Sequence, residues 1–274
     1  MSGAVSGTST EVQADGASLH VRLAGPEQAP ALVLLHGFPL HGGMWDAQVA
    51  ALARTWRVIA PDFRGHGKSE VGDGQYAMDF FADDLFAVLD ATTDGPVVAC
   101  GLSMGGYVLL RAVERDRERF RALVLADTRS GNDKDDVRLK RLEGVRILRA
   151  KGAAGYAEAF VKTALGKTTH ATRPDVVAAV KAMASGNDPR GLVGAQLAMA
   201  SRTDTTDMLG DLRMPTLVVV GDEDALTPPG HSRELATRIP GARLVLIPGA
   251  GHLTPLEAPG EFTAALKAFL DALS

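Results

Sequence analysis

Cysteine is almost absent: Cys100 is the single one in 274 residues. No disulfide can form within the chain, and a cysteine-based metal site is excluded. A basic excess is missing too. Lys and Arg total 29 against 33 Asp and Glu, a formal net charge of −4, and a chain without a basic stripe has little with which to neutralise a phosphate backbone. The one arginine-rich stretch, Arg111, Arg115, Arg117, Arg119 and Arg121, is interleaved with Glu114, Asp116 and Glu118 and reads as a solvated helix end. No apolar run approaches the length of a membrane-crossing helix, and there is no internal repeat or low-complexity tract. The first ten residues carry neither a basic segment nor an apolar core, so no secretory signal is expected and the expected location is the cytoplasm.

What is present suits an ordinary globular protein, with 46% apolar and 23% charged residues. The length accommodates one large α/β domain or two small ones. Short apolar runs at 31–35, 57–60, 97–100, 122–126, 216–220 and 243–247 each end in a turn signal. Runs apolar almost throughout suit strands buried on both faces, as in a parallel sheet. Amphipathic segments at 44–52, 78–91, 103–116, 229–238 and 260–272 alternate with them, which predicts a doubly wound, mostly parallel sheet with crossover helices. Residues 11–13 and 19–23 flank Asp15-Gly16 and predict an antiparallel hairpin on that sheet.

The alternation breaks once. Residues 130–210 show helical periodicity alone, with helices expected at 136–150, 156–165, 174–183 and 189–201 and breaks at Gly152, Gly155, Gly166, Pro174 and Gly186. The chain therefore divides into a core at 1–129 and 211–274 and an all-helical cap at 130–210. Such an insertion lies at one end of the sheet, where the ligand crevice of an open α/β sheet is found.

Gly101-Leu102-Ser103-Met104-Gly105 follows a predicted strand and opens a predicted helix. A serine on so sharp a strand–turn–helix is strained and exposes its Oγ at the head of a helix, with glycines where side chains would collide. A serine hydroxyl needs a base. Of seven histidines, His252 stands in a Gly- and Pro-flanked loop after the last predicted strand, at the same sheet rim as Ser103. The acid belongs between them in chain order, and Gly221-Asp222-Glu223-Asp224 follows the 216–220 strand. Asp224 is the preferred acid, with Asp222 and Glu223 solvated or turn-forming; Asp127, at an earlier strand end, competes for the role. A second oxyanion donor is expected after the 31–35 strand, where Phe38 N–H of His36-Gly37-Phe38-Pro39 joins Met104 N–H. His36 and His41 lack a further ligand at metal spacing, so no metal is expected.

Those motifs, with Asp62-Phe63-Arg64-Gly65-His66-Gly67-Lys68-Ser69, occur in an order that resembles the α/β-hydrolase superfamily over almost the whole chain. The chain is most similar to small carboxylesterases and to 3-oxoadipate enol-lactonases, with Asp127-Thr128-Arg129 and the helical segment resembling the esterases in particular. The resemblance implies a Ser103, Asp224 and His252 triad, an oxyanion hole of the Phe38 and Met104 amides, no cofactor, and a small-molecule ester as substrate. The implied reaction is hydrolysis of short-acyl carboxylic esters through an acyl-enzyme. Ser103 stands where haloalkane dehalogenases and epoxide hydrolases carry Asp, which argues against both. Enol-lactone hydrolysis, cofactor-free perhydrolase or haloperoxidase chemistry and a non-catalytic ligand receptor remain alternatives, and the oligomeric state stays open. Leu142, Val145, Phe160, Met183, Leu197, Met199 and Leu226 are expected to line the substrate pocket, with Arg129 positioned either for a substrate carboxylate or for a neighbouring acid.

Overall fold

Runs such as Ala31–Leu35 and Val97–Leu102 have almost no polar side to turn toward water, and both are buried nearly throughout. In the computed structural model, which describes residues 7–273, they lie at the centre of one sheet. The first six residues, part of the stretch read above as free of a leader, lie outside the described range.

In chain order, β1 (Thr8–Ala14) and β2 (Ala17–Ala24) precede β3 (Ala31–Leu35), α1 (Asp46–Leu52), β4 (Arg57–Pro61) and α2 (Met78–Thr92). Then come β5 (Val97–Leu102), α3 (Met104–Arg115) and β6 (Phe120–Ala126). Four helices follow: α4 (Asp135–Ala164), α5 (Lys167–Thr172), α6 (Pro174–Ser185) and α7 (Pro189–Ser201). The chain closes with β7 (Thr216–Gly221), α8 (Pro229–Arg238), β8 (Arg243–Ile247), α9 (Thr254–Glu257) and α10 (Pro259–Asp271).

Among the described residues eight strands form one sheet in the order β1-β2-β4-β3-β5-β6-β7-β8. The β1–β2 and β2–β4 pairs are antiparallel and the rest parallel. The predicted hairpin is there, its Asp15-Gly16 turn aided by a positive φ of 77° at Gly16. Each face of the sheet carries its own apolar layer. Phe81, Leu85, Val108 and Leu109 of α2 and α3 pack on one, and Trp45, Phe262 and Leu266 on the other. In the arginine stretch at and beyond the end of α3, three of the five are ion-paired to α2: Arg111 reaches Asp79, Arg115 reaches Asp83 and Arg119 reaches Asp90.

The helical insertion between β6 and β7 is as expected in kind, with corrections in detail. The helices expected at 136–150 and 156–165 are both there: α4 is a run of two helices joined at Gly152, whose φ of 66° and ψ of −173° are non-helical, so the break expected at that glycine is found. Gly155 lies inside that run and breaks nothing. The short α5 is an addition, because its Lys-Thr-Thr-His-Ala-Thr sequence has no apolar stripe. Among the described residues no helix is long and apolar enough to cross a membrane.

Candidate active site

Ser103 occupies the turn between β5 and α3 at φ 52° and ψ −112°, a conformation that L-residues adopt only under constraint. The constraint is packing. A side chain at Gly105 would place its Cβ 2.4 Å from the carbonyl oxygen of Leu35, so the head of α3 seats directly on the end of β3. Thr128 locks the turn from the other side, donating to the Ser103 carbonyl oxygen at 2.8 Å. Ser103 is 8% exposed.

His252 comes from the loop after β8. Its Nε2 stands 2.8 Å from Ser103 Oγ and its Nδ1 2.8 Å from Asp224 Oδ2. Asp224 is held in turn by the Leu226 and Thr227 amides on Oδ1, at 2.8 and 2.9 Å, and by the Thr227 hydroxyl on Oδ2 at 2.7 Å. These donors use every remaining lone-pair direction of the carboxylate and fix its plane. A hydroxyl, an imidazole and a carboxylate 149 and 28 residues apart along the chain thus form one hydrogen-bonded line.

Burial disfavours the imidazolium, but the Asp224 charge and hydrogen bond outweigh it and raise the His252 pKa to about 9. For Asp224 the order is the same: burial raises its pKa, and His252 with the Thr227 donors brings it below the usual range. Asp127, the competing acid, makes no hydrogen bond to the imidazole. Its carboxylate accepts from Gly221 N–H (3.0 Å) and from the Thr254 hydroxyl (2.5 Å) and amide (3.3 Å). Complete burial, with the Asp224 charge adding to it, pushes Asp127 well above the ordinary carboxylate range, toward its neutral form. Asp222 ties the two loops by accepting from Gly249 N–H, as a turn-former should. Glu223 accepts from Thr168 instead of being free in solvent.

The 36–39 loop lies against Ser103: a Cβ on Gly37 would be 3.5 Å from that of the serine. His36 braces this loop, its Nδ1–H donating to Gly37 O at 3.1 Å and its Nε2 accepting from Phe63 N–H at 2.9 Å. Burial lowers its pKa to about 3, so it serves as a neutral strut. The Phe38 and Met104 amides have no hydrogen-bond acceptor among the described residues, which leaves both N–H groups unpaired.

The residues expected to line the pocket differ widely in exposure. Leu142, Leu197 and Leu226 are 40%, 44% and 43% exposed. Phe160 and Met199 are buried in different apolar clusters, Val145 is half-buried, and Met183 packs against the cluster of Phe160. Helical spacing identified the apolar positions but not the direction each one faces. Arg129 pairs with a neighbouring acid, Asp133, at 2.5 Å. Asp133 also takes Arg141 and, at 2.5 Å, Arg202, so three guanidinium groups surround one fully buried carboxylate. The Nε of Arg129 and of Arg202 are buried without a partner among the described residues. Arg202 lies over the Tyr107 ring at 4.1 Å, one turn of α3 beyond Ser103. Arg141 reaches Gln196, which donates to Tyr156 Oη, and the Tyr156 ring meets Phe38 edge-on at 5.5 Å. Sequence reading missed this cluster and Thr227. The Thr227 position, three after an acid, carries a recognisable side-chain-to-backbone turn pattern, whereas nothing in the sequence links Asp133 to Arg202.

Residues 30–259 match the family model described as alpha/beta hydrolase fold. The chain is 29% identical over 259 residues to 3-oxoadipate enol-lactonase 1 of Acinetobacter baylyi, covering 94% of this chain and 95% of that one. It is 28% identical to a pimeloyl-[acyl-carrier protein] methyl ester esterase of Nitrosomonas europaea, covering 92% and 99%. A thermophilic esterase from Thermogutta terrifontis, solved with malate bound, superposes with a TM-score of 0.91 at 35% identity, covering 97% of this chain and 99% of that one.

Proposed function

Because this chain belongs to the alpha/beta hydrolase fold family, we propose that it is a serine carboxylesterase acting on small carboxylic esters. The observation that carries this reading is the Ser103–His252–Asp224 line at 2.8 Å and 2.8 Å. His252 takes the proton as Ser103 Oγ attacks the ester carbonyl, and Asp224 holds Nδ1 protonated so that Nε2 is the bare nitrogen. The Phe38 and Met104 amides hold the oxyanion. The alcohol then leaves with the proton from His252, and water hydrolyses the acyl-enzyme by the same route in reverse. Esterase relatives and the strained serine support the assignment.

A short p-nitrophenyl ester tests it. Turnover should be abolished by a serine-directed organophosphonate and by Ser103→Ala; an active Ser103→Ala variant would defeat the reading. One observation favours a second reading, hydrolysis of a carboxylate-bearing lactone as the enol-lactonase relative's name suggests. It is the excess of guanidinium over carboxylate around Asp133, with Arg202 lying over the ring of Tyr107, one helical turn from Ser103. Comparing kcat/KM for neutral esters with an enol-lactone bearing a free carboxylate separates the two.

A further inference from the structure

The turn that joins α4 to α5 touches both loops of the proposed triad. Ala164 O accepts the backbone N–H of His252 itself at 2.7 Å. Gly166 N–H (2.8 Å) and Thr169 Oγ1 (2.6 Å) donate to one oxygen of Glu257, and the other accepts from Leu253 N–H at 2.9 Å, the residue after the histidine. The acid loop is gripped at the same place. Glu223, next to Asp224, accepts from Thr168 N–H and from Thr168 Oγ1, both at 2.8 Å. The contact is backbone on backbone, since a Cβ at Gly251 would fall 2.2 Å from Gly166 N.

Glu257 is only 6% exposed and has no ion-pair partner among the described residues. Burying a carboxylate is costly unless several donors converge on it. Here all three come from the turn and from the histidine loop. Capping two short helices accounts for some of these bonds but not for their convergence from both loops on one six-residue stretch.

On the esterase reading above, we infer that the Ala164–Thr169 turn is a staple, with Glu257 and Glu223 as positioning residues that hold the His252 loop and the Asp224 loop in mutual register. The helical insertion is then anchored at this end to the reacting groups, and any movement over the cleft pivots about it. The other ionisable groups facing His252 are Asp127 and Tyr107, neither of which touches the staple.

The test uses the full chain with Glu223→Ala, which alters a half-exposed side chain, Thr169→Val, which keeps the buried shape, and Glu257→Gln, which keeps part of the acceptor set. Two readouts are taken: kcat and KM on p-nitrophenyl acetate, and the pKa of the His252 imidazole followed by NMR. Loosened register should cut kcat about tenfold in Glu223→Ala and Thr169→Val, with KM changed by no more than roughly twofold. The imidazole pKa should move down from about 9 toward 6.5 as the Asp224 contact lengthens. Glu257→Gln should fall between them and the wild type. Wild-type kcat and wild-type imidazole pKa in all three folded variants, whatever happens to Tm, would overturn the staple and leave helix capping. The NMR titration needs no substrate. Absent serine-dependent turnover in the wild type would therefore remove the esterase reading while the imidazole shift still decides the staple.

Discussion

Replacing Asp224 by asparagine changes one atom in the line on which, in the proposed esterase mechanism, Ser103 depends. Oδ1 keeps its two amide donors, Leu226 and Thr227, so the loop has no reason to refold. At the other position the carboxylate oxygen becomes an NH2 group, 2.8 Å from His252 Nδ1 and 2.7 Å from the Thr227 hydroxyl. The hydroxyl reverses and accepts. The imidazole cannot keep its proton on Nδ1 facing a donor, so the proton moves to Nε2, which points at Ser103 Oγ across 2.8 Å. A base that already carries its proton where it should accept one costs on the order of 10⁴ in kcat, equivalent to about 5 kcal/mol of barrier. KM should stay within a few-fold, because nothing at the cleft surface has changed. Single-turnover acylation with p-nitrophenyl acetate, monitored beside circular dichroism, measures it. Asp127→Asn is the control: Asp127 binds Gly221 and Thr254 rather than the imidazole, so its kcat should fall by less than about tenfold. A Asp224→Asn variant within tenfold of wild type, or an Asp127→Asn variant that loses as much, would refute the assignment of the acid.

On the proposed esterase reading His252 must be neutral to act as the base, and its pKa is raised from 6.5 to about 9. The acidic limb of the kcat/KM profile should therefore lie above pH 6.5 and at or below about 9, with activity lost as pH falls through it; a limb below pH 6 contradicts the geometry. A methyl group at Gly105 meets the Leu35 carbonyl at 2.4 Å, backbone that cannot swing aside. Gly105→Ala should accordingly cost more than about 2 kcal/mol in urea unfolding, and a neutral result would mean the turn has slack. Arg64 and Asp84, 1% and 2% exposed, form a two-bond pair at 2.7 Å. Arg64→Met should destabilise by about 3–5 kcal/mol through the stranded carboxylate, and Arg64→Met with Asp84→Leu should recover much of it.

The sheet was readable because buried parallel strands are apolar on both faces, and the meeting of Ser103, Asp224 and His252 because each stands just after such a strand. The break at Gly152 was readable from residue type, since glycine adopts φ 66° and ψ −173° without strain, whereas Gly155 is the same residue and stays helical. Pocket lining was the least legible. Leu142 and Leu197 have the same apolarity as Phe160 and Met199, and the angle between packed helices decides which of them reach water. Likewise Asp133 gives no local hint that it gathers arginines from positions 129, 141 and 202.

The 149 positions between Ser103 and His252 also bear on how the molecule matures. Half the chain must be synthesised and docked after the serine before a proton acceptor exists, and contacts so remote in sequence form slowly. During refolding, hydrolytic competence should therefore return later than helical ellipticity, making the reaction itself a clock for completion of the fold.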